Sequence, residues 1–364
     1  MSLQNQVRAW LIILAVTVLA LWVFRGILLP FVVGMALAYL LDPIADKLES
    51  WKFSRFWATA VIMILAVTLF VGAFFLVVPL LIQQLAGLAQ RLPGYVSELQ
   101  DLANQWSPAI YEFIGAERAS QVQNALADML QNGLGIAGNI ISQLMQSSLA
   151  IVNVVGLLVI TPVVAFYLLL DWDNMVAAVD RLLPRKHLDE IRDVFKEMDL
   201  AMAGVIRGQF LVVVTLAAFY GIALTVAGLN FGLAIGLTAG FLSFIPYVGF
   251  LVGFLLSIGV AIVQFWPDWI MIAVIFAIFI IGQFLEGNVL YPKLVGSSIG
   301  VHPVWLMFAL FAFGLIFGTV GLLLAVPLVA ITNVMIRFGV RKYQESPLYQ
   351  GAEENNGGKT KSTE

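Results

Sequence analysis

Two apolar runs in the second half of the chain are too long for one membrane crossing and too interrupted for two ordinary ones. Residues 231–265 carry Ile-Pro-Tyr-Val-Gly at 245–249, and residues 304–336 carry Gly-Thr-Val-Gly at 318–321 with Pro327 beyond. A helix needs about twenty apolar residues to cross the hydrocarbon core. No water there can satisfy a backbone opened by Gly or Pro, so such breaks survive only where protein buries them or an aqueous cavity meets them. Paired broken segments point to a transport pathway, and close helix packing through glycine is the competing use of the same residues. Pro246, Tyr247, Gly249, Gly318, Gly321 and Pro327 are therefore candidate hinges of a pathway, as are Pro292 and Pro303 between the two runs.

The rest of the chain fits that beginning. Of 364 residues, 61% are hydrophobic and only 11% charged, far from a soluble domain. The expected fold is an all-α polytopic membrane protein of about eight spans or span-like hairpins, with broken or re-entrant helices. The absence of cysteine excludes disulfides and thiolate chemistry. A net charge of -3 offers no basic face to nucleic acid. Gly-Ser-Ser-Ile-Gly at 296–300 lacks the lysine of a phosphate-binding loop and reads as a turn, so no nucleotide is expected. Neither a Ser/His/Asp order, a His-Glu-x-x-His helix nor a polar carboxylate pair is present, so the chain reads as no enzyme, with no cofactor and no metal.

In order, residues 1–82 form N-terminal membrane segments. Residues 10–24 could pass for a signal peptide, but more apolar sequence follows at once and the run reads as a retained span. The run 10–41 is broken by Arg25-Gly26 and Pro30, and Asp42-Pro43 is expected to end it, because the residue before proline is pushed out of the helical region. Residues 57–82 make a full span. Residues 83–147 turn acidic yet keep helical spacing: Leu81, Leu85, Leu88 and Leu92 before Pro93-Gly94, then Val96, Leu99 and Trp106. The return limb repeats Leu126, Leu130, Leu134, Ala137, Ile141 and Leu144, so the insertion reads as two amphipathic helices packed on one another or on a neighbouring subunit. A span at 148–170 ends at Asp171. Residues 171–207 hold an amphipathic helix with the apolar stripe Leu188, Ile191, Phe195, Met198, Met202 and Val205. A C-terminal membrane core occupies 208–336, and 337–364 reads as a disordered tail.

Orientation follows from the cations. If the chain starts inside, only Arg25, Arg91 and Arg118 of its 19 lysines and arginines fall outside, a bias that places both termini in the cytoplasm and the insertion outside it. Asp171 and Arg207 then mark cytoplasmic ends of two spans, as a charge pair or, more simply, as separate interfacial anchors.

Between the broken runs, residues 282–303 place Gln283, Glu286, Asn288, Lys293 and His302 in otherwise apolar surroundings. An ionisable group at membrane depth is a candidate functional site. Glu286 is the candidate acceptor of a proton or cation, against the plainer expectation that it pairs with Lys293 or caps the re-entrant helix. Asn288 and Gln283 could ligate an ion or polar substrate, or merely join helices. Lys293 suits a snorkelling anchor. His302 could pass protons, though a single histidine before proline suits a helix start. Arg25 interrupts an apolar run with no charged neighbour.

Taken together, Ile-Arg-Gly-Gln at 206–209, IPYVG at 245–249, GQFLEGNVLYPKLVGSSIGVHP at 282–303 and FGTVGLLLAVP at 317–327 resemble the autoinducer-2 exporter (AI-2E) family, also called PerM-like permeases. TPVVAFYLLLDWD at 161–173 looks like the same family's pattern. The resemblance implies a bacterial inner-membrane protein that is a homo-oligomer in the lipid bilayer. It implies export of a small polar metabolite or signal such as autoinducer-2, or sodium or lithium for proton exchange. A membrane scaffold using the extracytoplasmic hairpin is the expectation from another class.

Overall fold

A computed structural model describes residues 3–114, 121, 148–295 and 301–350. Every regular element among them is helical: α1 (Leu3–Val23), α2 (Leu28–Ser50), α3 (Arg55–Ile114), α4 (Ser148–Leu182), α5 (Leu188–Val226), α6 (Gly232–Leu242), α7 (Val248–Phe265), α8 (Trp269–Leu285), α9 (Pro303–Phe317), α10 (Thr319–Glu345) and α11 (Pro347–Gln350). Short 3₁₀ turns lie at Arg25–Ile27 and Arg185–His187, and α8 continues into a wider π-helical segment, Glu286–Val295. Among the described residues seven helices are long and apolar enough to cross a membrane. The chain is an all-α polytopic membrane protein. It divides into two compact units, Met1–Trp172 with Ile206–Gly296, and Asp173–Val205 with Ser297–Glu364.

In the first unit, α2, α3 and α4 share a core of Ala38, Leu41, Ala45, Ile62, Met63, Ala165 and Leu169. Small residues allow the approach: Gly34 lies against Val164 and the Thr161 carbonyl, and Thr161 Oγ1 donates to the Pro30 carbonyl at 3.4 Å. Arg55 closes one end. Its guanidinium reaches Asp42 (2.7 Å), Asp46 (2.8 Å) and Glu49 (3.1 Å), all on α2, and its Nε donates to the Leu169 carbonyl of α4 at 3.0 Å.

Prolines break fewer helices here than their local effect predicts. Asp42-Pro43 does not end a helix, since α2 runs on to Ser50 with Pro43 inside it. Proline removes the bond to the carbonyl four residues back, here that of Tyr39, and Arg207 supplies the missing donors from Nη2 (3.2 Å) and Nε (3.4 Å). α3 likewise passes through Pro79 and Pro93 without ending, so the span expected at 57–82 and the outgoing limb of the insertion are one helix of 60 residues. The expected return limb, 126–144, lies outside the described residues.

The second half of this unit is built on α5. Its buried face carries Gln209, Val212, Val213, Leu216, Ala217, Tyr220 and Leu224 at helical spacing. α6 lies on it through a stripe of glycines, with Gly232 on the Leu224 carbonyl, Gly236 on the Tyr220–Gly221 backbone and Gly240 on the Ala217 backbone. A methyl group at these positions would collide with main chain, the close-approach geometry that small residues permit in membrane bundles. The α5–α6 turn is held from two sides. Gln264 of α7 accepts from the Asn230 N–H and donates to the Gly228 carbonyl, each at 2.7 Å. From α3, Gln84 accepts from the Ala234 N–H at 3.0 Å, and Arg91 lies 5.7 Å from the ring centre of Phe231. Asp268 caps α8 by accepting from the N–H groups of Ile270 and Met271.

In the second unit, α9 and α10 form a hairpin that turns at Gly318, whose φ of 62° and ψ of -137° belong to a region open to glycine alone. Gly321 lies on the Phe313 carbonyl. The first part of α5 carries charges that fasten it: Arg192 to Asp180 at 2.7 Å, Glu197 to Arg341 at 3.0 Å, and Glu190 to Lys342. Residues 337–350, expected to open a disordered tail, are accordingly helical, with α10 reaching Glu345 and α11 following. Residues 351–364 lie outside the described residues.

Candidate functional site

The break between α6 and α7 sits where Ile-Pro-Tyr-Val-Gly placed it. α6 ends at Leu242, Tyr247 takes a φ of 68°, and α7 begins at Val248. A left-handed backbone at a non-glycine residue is costly unless its surroundings enforce it. Pro246 is buried, and Gly249 lies on the Ala239 carbonyl and on Ser243, where a side chain would not fit. Two carbonyls of the break, just beyond the end of α6, go to one side chain. Gln209 of α5, 2% exposed, donates from Nε2 to the Ser243 and Phe244 carbonyls at 3.1 Å each. Its Oε1 accepts from the Tyr291 hydroxyl of the π-helical segment at 3.2 Å. One amide thus joins α5, the helix break and the motif that follows α8.

Glu286 opens that π-helical segment and is 6% exposed. It enters no ion pair and no side-chain hydrogen bond among the described residues. The pairing with Lys293 is not made; Lys293 is exposed. One turn before Glu286, Gly282 lies against the ring and hydroxyl of Tyr220. Tyr220 is fully buried, stacks on Phe279 with ring centres 4.8 Å apart, and its hydroxyl has no hydrogen-bond partner. Two buried polar groups, a carboxylate and a phenol, therefore share this region without partners, where an unmet polar group is expensive. The segment itself is unusual, since π-helical turns are rare and concentrate at functional sites.

The remaining candidates divide by unit. In the first, Gln283 is half-buried on α8, and Asn288 is exposed, its Nδ2 donating to the Phe284 carbonyl of its own helix at 3.2 Å. Pro292 lies inside the π-helical segment, and Gly208 of α5 rests on the Leu294 carbonyl. Arg207 is spent on Tyr39 rather than on Asp171, which is exposed. Arg25 lies 5.4 Å from the ring centre of Trp22. In the second unit, His302 Nδ1 accepts from the Val304 N–H at 3.3 Å and Pro303 follows as the first residue of α9, the plain helix-start arrangement. Gly318 and Gly321 shape the α9–α10 hairpin, and Pro327 is buried within α10. Among the described residues no group of three or more His, Asp or Glu side chains is arranged to hold a metal ion.

Gln209, Tyr220 and Tyr291 escape sequence reasoning. The first two share a helical face with apolar core residues, eleven positions apart, so a polar residue on that face was the available signal.

Comparison with known proteins agrees with this architecture. The model of the AI-2E family transporter family matches residues 11–341. The chain is similar to Putative permease PerM of Escherichia coli (strain K12), 31% identical over 337 residues covering 90% of this chain and 92% of that protein. It is also similar to Putative transport protein YrrI of Bacillus subtilis (strain 168), 27% identical over 86% of this chain and 87% of that one. A third relative, Putative transport protein MT0215 of Mycobacterium tuberculosis, is 28% identical over 91% and 90% respectively. With its family motifs in order and the family match spanning almost its whole length, the chain belongs to the AI-2E transporter family.

Proposed function

We infer that the protein is a secondary transporter exporting a small polar metabolite or signal, with autoinducer-2 among the candidates, and that Glu286 couples export to the proton gradient. The observation that carries this reading is the Glu286 carboxylate, 6% exposed and without a cation at the end of an apolar span. A permanently charged carboxylate in such a place costs several kcal/mol. One that takes a proton while occluded and releases it to an aqueous pathway avoids that cost, and the same alternation moves a proton. The neighbouring helix break supports a pathway: α6 has 11 residues, about 16 Å of helix against a core of about 30 Å, and reads as a re-entrant limb. The cation asymmetry supports both termini in the cytoplasm and 83–147 outside, and membership of the family supports a bacterial inner-membrane location. Exposed apolar faces on the spans suit lipid and further copies of the chain in a homo-oligomer.

The test begins with comparison of extracellular metabolites from cells with and without the protein. Uptake of the metabolite that differs is then measured in everted vesicles. Accumulation should disappear with an uncoupler and fall at least about ten-fold in Glu286→Gln. Uptake unchanged by either treatment removes the coupling role. A pH-sensitive dye in proteoliposomes responding to sodium or lithium pulses would instead assign cation/proton exchange.

A further inference from the structure

Three contacts fix the register of the seam between α5 and α8 with its π-helical extension, and the two run antiparallel. Gly282 lies against the Tyr220 ring and hydroxyl, the Tyr291 hydroxyl donates to Gln209 at 3.2 Å, and Gly208 rests on the Leu294 carbonyl. Glu286 falls between these contacts, continuing the buried face of α8 that carries Phe279 and Gly282. On α5 the corresponding stretch, between Gln209 and Tyr220, buries Val212, Val213, Leu216 and Ala217. The carboxylate thus has hydrocarbon along the seam, with the Tyr220 phenol at one end and the Tyr291–Gln209 pair at the other. Only one end has a donor to spare. The Tyr291 hydroxyl is committed to Gln209 Oε1, and Gln209 Nε2 serves the Ser243 and Phe244 carbonyls. The Tyr220 hydroxyl is buried and bonds to nothing.

That phenol is also held in place. Its ring stacks on Phe279, which Phe250 and Phe254 brace in turn, and its hydroxyl lies over Gly282, where a methyl group would collide with it. Glu286 follows Gly282 by one helical turn, about 6 Å. A helical side chain leans back over the turn that precedes its own Cα, so the gap left by the glycine admits the phenol where the Glu286 side chain leans. For packing alone a phenylalanine would serve as well, with no buried hydroxyl to satisfy. We propose that Tyr220 is a positioning residue for the coupling proton: its hydroxyl donates to the Glu286 carboxylate when that group is ionised and releases it when the carboxyl is protonated. A charged acceptor draws an O–H far more strongly than a neutral one, so the bond follows the charge. The coupling role rests on the transport reading of Glu286; the contact between phenol and carboxylate does not. Other ionisable side chains of these elements are placed elsewhere. α6 and α7 contain none, Arg207 donates to Tyr39, Asp268 caps the opposite end of α8, and Lys293 and Tyr247 are exposed.

Infrared spectra of the purified full chain in lipid bilayers are recorded as pH is raised, and the bands lost in Glu286→Gln are assigned to the Glu286 carboxyl. Tyr220→Phe keeps the ring on Phe279 and removes only the hydroxyl, so it should fold as wild type does. Its protonated Glu286 band should persist to a pH at least about half a unit higher than in wild type, because the ionised form has lost its donor. Tyr291→Phe, whose hydroxyl serves Gln209, should leave that pH dependence where it is. Bands of Tyr220→Phe that coincide with wild type at every pH, or that move the other way, overturn the proposal, as does an equal shift in Tyr291→Phe. Proton-coupled flux in everted vesicles is followed over the same range, and in Tyr220→Phe the pH of half-maximal flux should move with the band. A band that shifts while the flux profile stays in place overturns the positioning role. If Tyr220→Phe shifts the band but Glu286→Gln leaves flux intact, the contact stands and it is the coupling reading that falls. A carboxyl that never changes form over the range removes that reading and this proposal together.

Discussion

Arg207 donates two hydrogen bonds to the carbonyl of Tyr39, four residues before Pro43. That carbonyl is the one the proline leaves without a helical donor, so a residue 168 positions away in sequence repairs a local defect. An interior proline costs about 3 kcal/mol in an isolated helix, and the repair offsets part of it.

The two residues should therefore be coupled. In a double-mutant cycle on the unfolding free energy, Arg207→Ala should cost about 1–3 kcal/mol in the wild-type background. It should cost about 1 kcal/mol less once Pro43→Ala restores the N–H. Equal costs in both backgrounds would show that the proximity carries no energy.

Arg55 makes a graded prediction. Its side chain is 15% exposed, while Asp42, Glu49 and Asp46 are 23%, 35% and 62% exposed. Solvent screening weakens an ion pair as its partners emerge. The loss on neutralising each acid should fall in the order Asp42→Asn, Glu49→Gln, Asp46→Asn, the last under about 0.5 kcal/mol. Arg55→Met should exceed all three, at about 2–4 kcal/mol, because it leaves three carboxylates together and the Leu169 carbonyl unmet. Chemical unfolding of the purified variants gives the order directly.

Gln209 holds the helix break. Gln209→Leu keeps the size and removes the donors to Ser243 and Phe244 and the acceptor for Tyr291. Stability should fall by about 2–4 kcal/mol, each unmet buried group costing about 1–3 kcal/mol with partial relaxation. Tyr291→Phe removes only the last bond and should cost about 1 kcal/mol. Proteolysis within 243–247 should accelerate in Gln209→Leu and not in Tyr291→Phe, because only the first frees the Ser243 and Phe244 carbonyls.

How much of this was legible depends on whether a residue's effect is local. Gly318 and Ile-Pro-Tyr-Val-Gly announced their breaks because a backbone conformation belongs to the residues that adopt it. Pro43 misled for the opposite reason: whether a proline ends a helix is decided by what can reach the freed carbonyl, and for Pro43 that is an arginine on another helix. Glu286 stood out because a carboxylate in an apolar run is improbable without cause. Gln209 did not, although it makes three bonds, because an amide near a basic segment looks ordinary until the elements that surround it are in place. Residues 337–345 simply continue α10, and the pairs Glu197–Arg341 and Glu190–Lys342 join that stretch to the first part of α5, a contact its local composition does not show.

Glu286→Gln separates a structural carboxylate from a working one. A residue that stabilises the fold loses stability when neutralised, whereas an unpartnered buried charge gains it, since the desolvation cost disappears with the charge. Glutamine keeps the shape and can still accept from a neighbour. Glu286→Gln should therefore unfold at an equal or higher midpoint than wild type at neutral pH, with a gain of up to about 2 kcal/mol, while proton-coupled flux falls. Tyr220→Phe adds a control from the same region: its hydroxyl has no partner, so removal should be neutral or stabilising by about 1 kcal/mol. A loss above about 1 kcal/mol in Glu286→Gln would mean that the carboxylate holds helices together, and the coupling role would pass to another group.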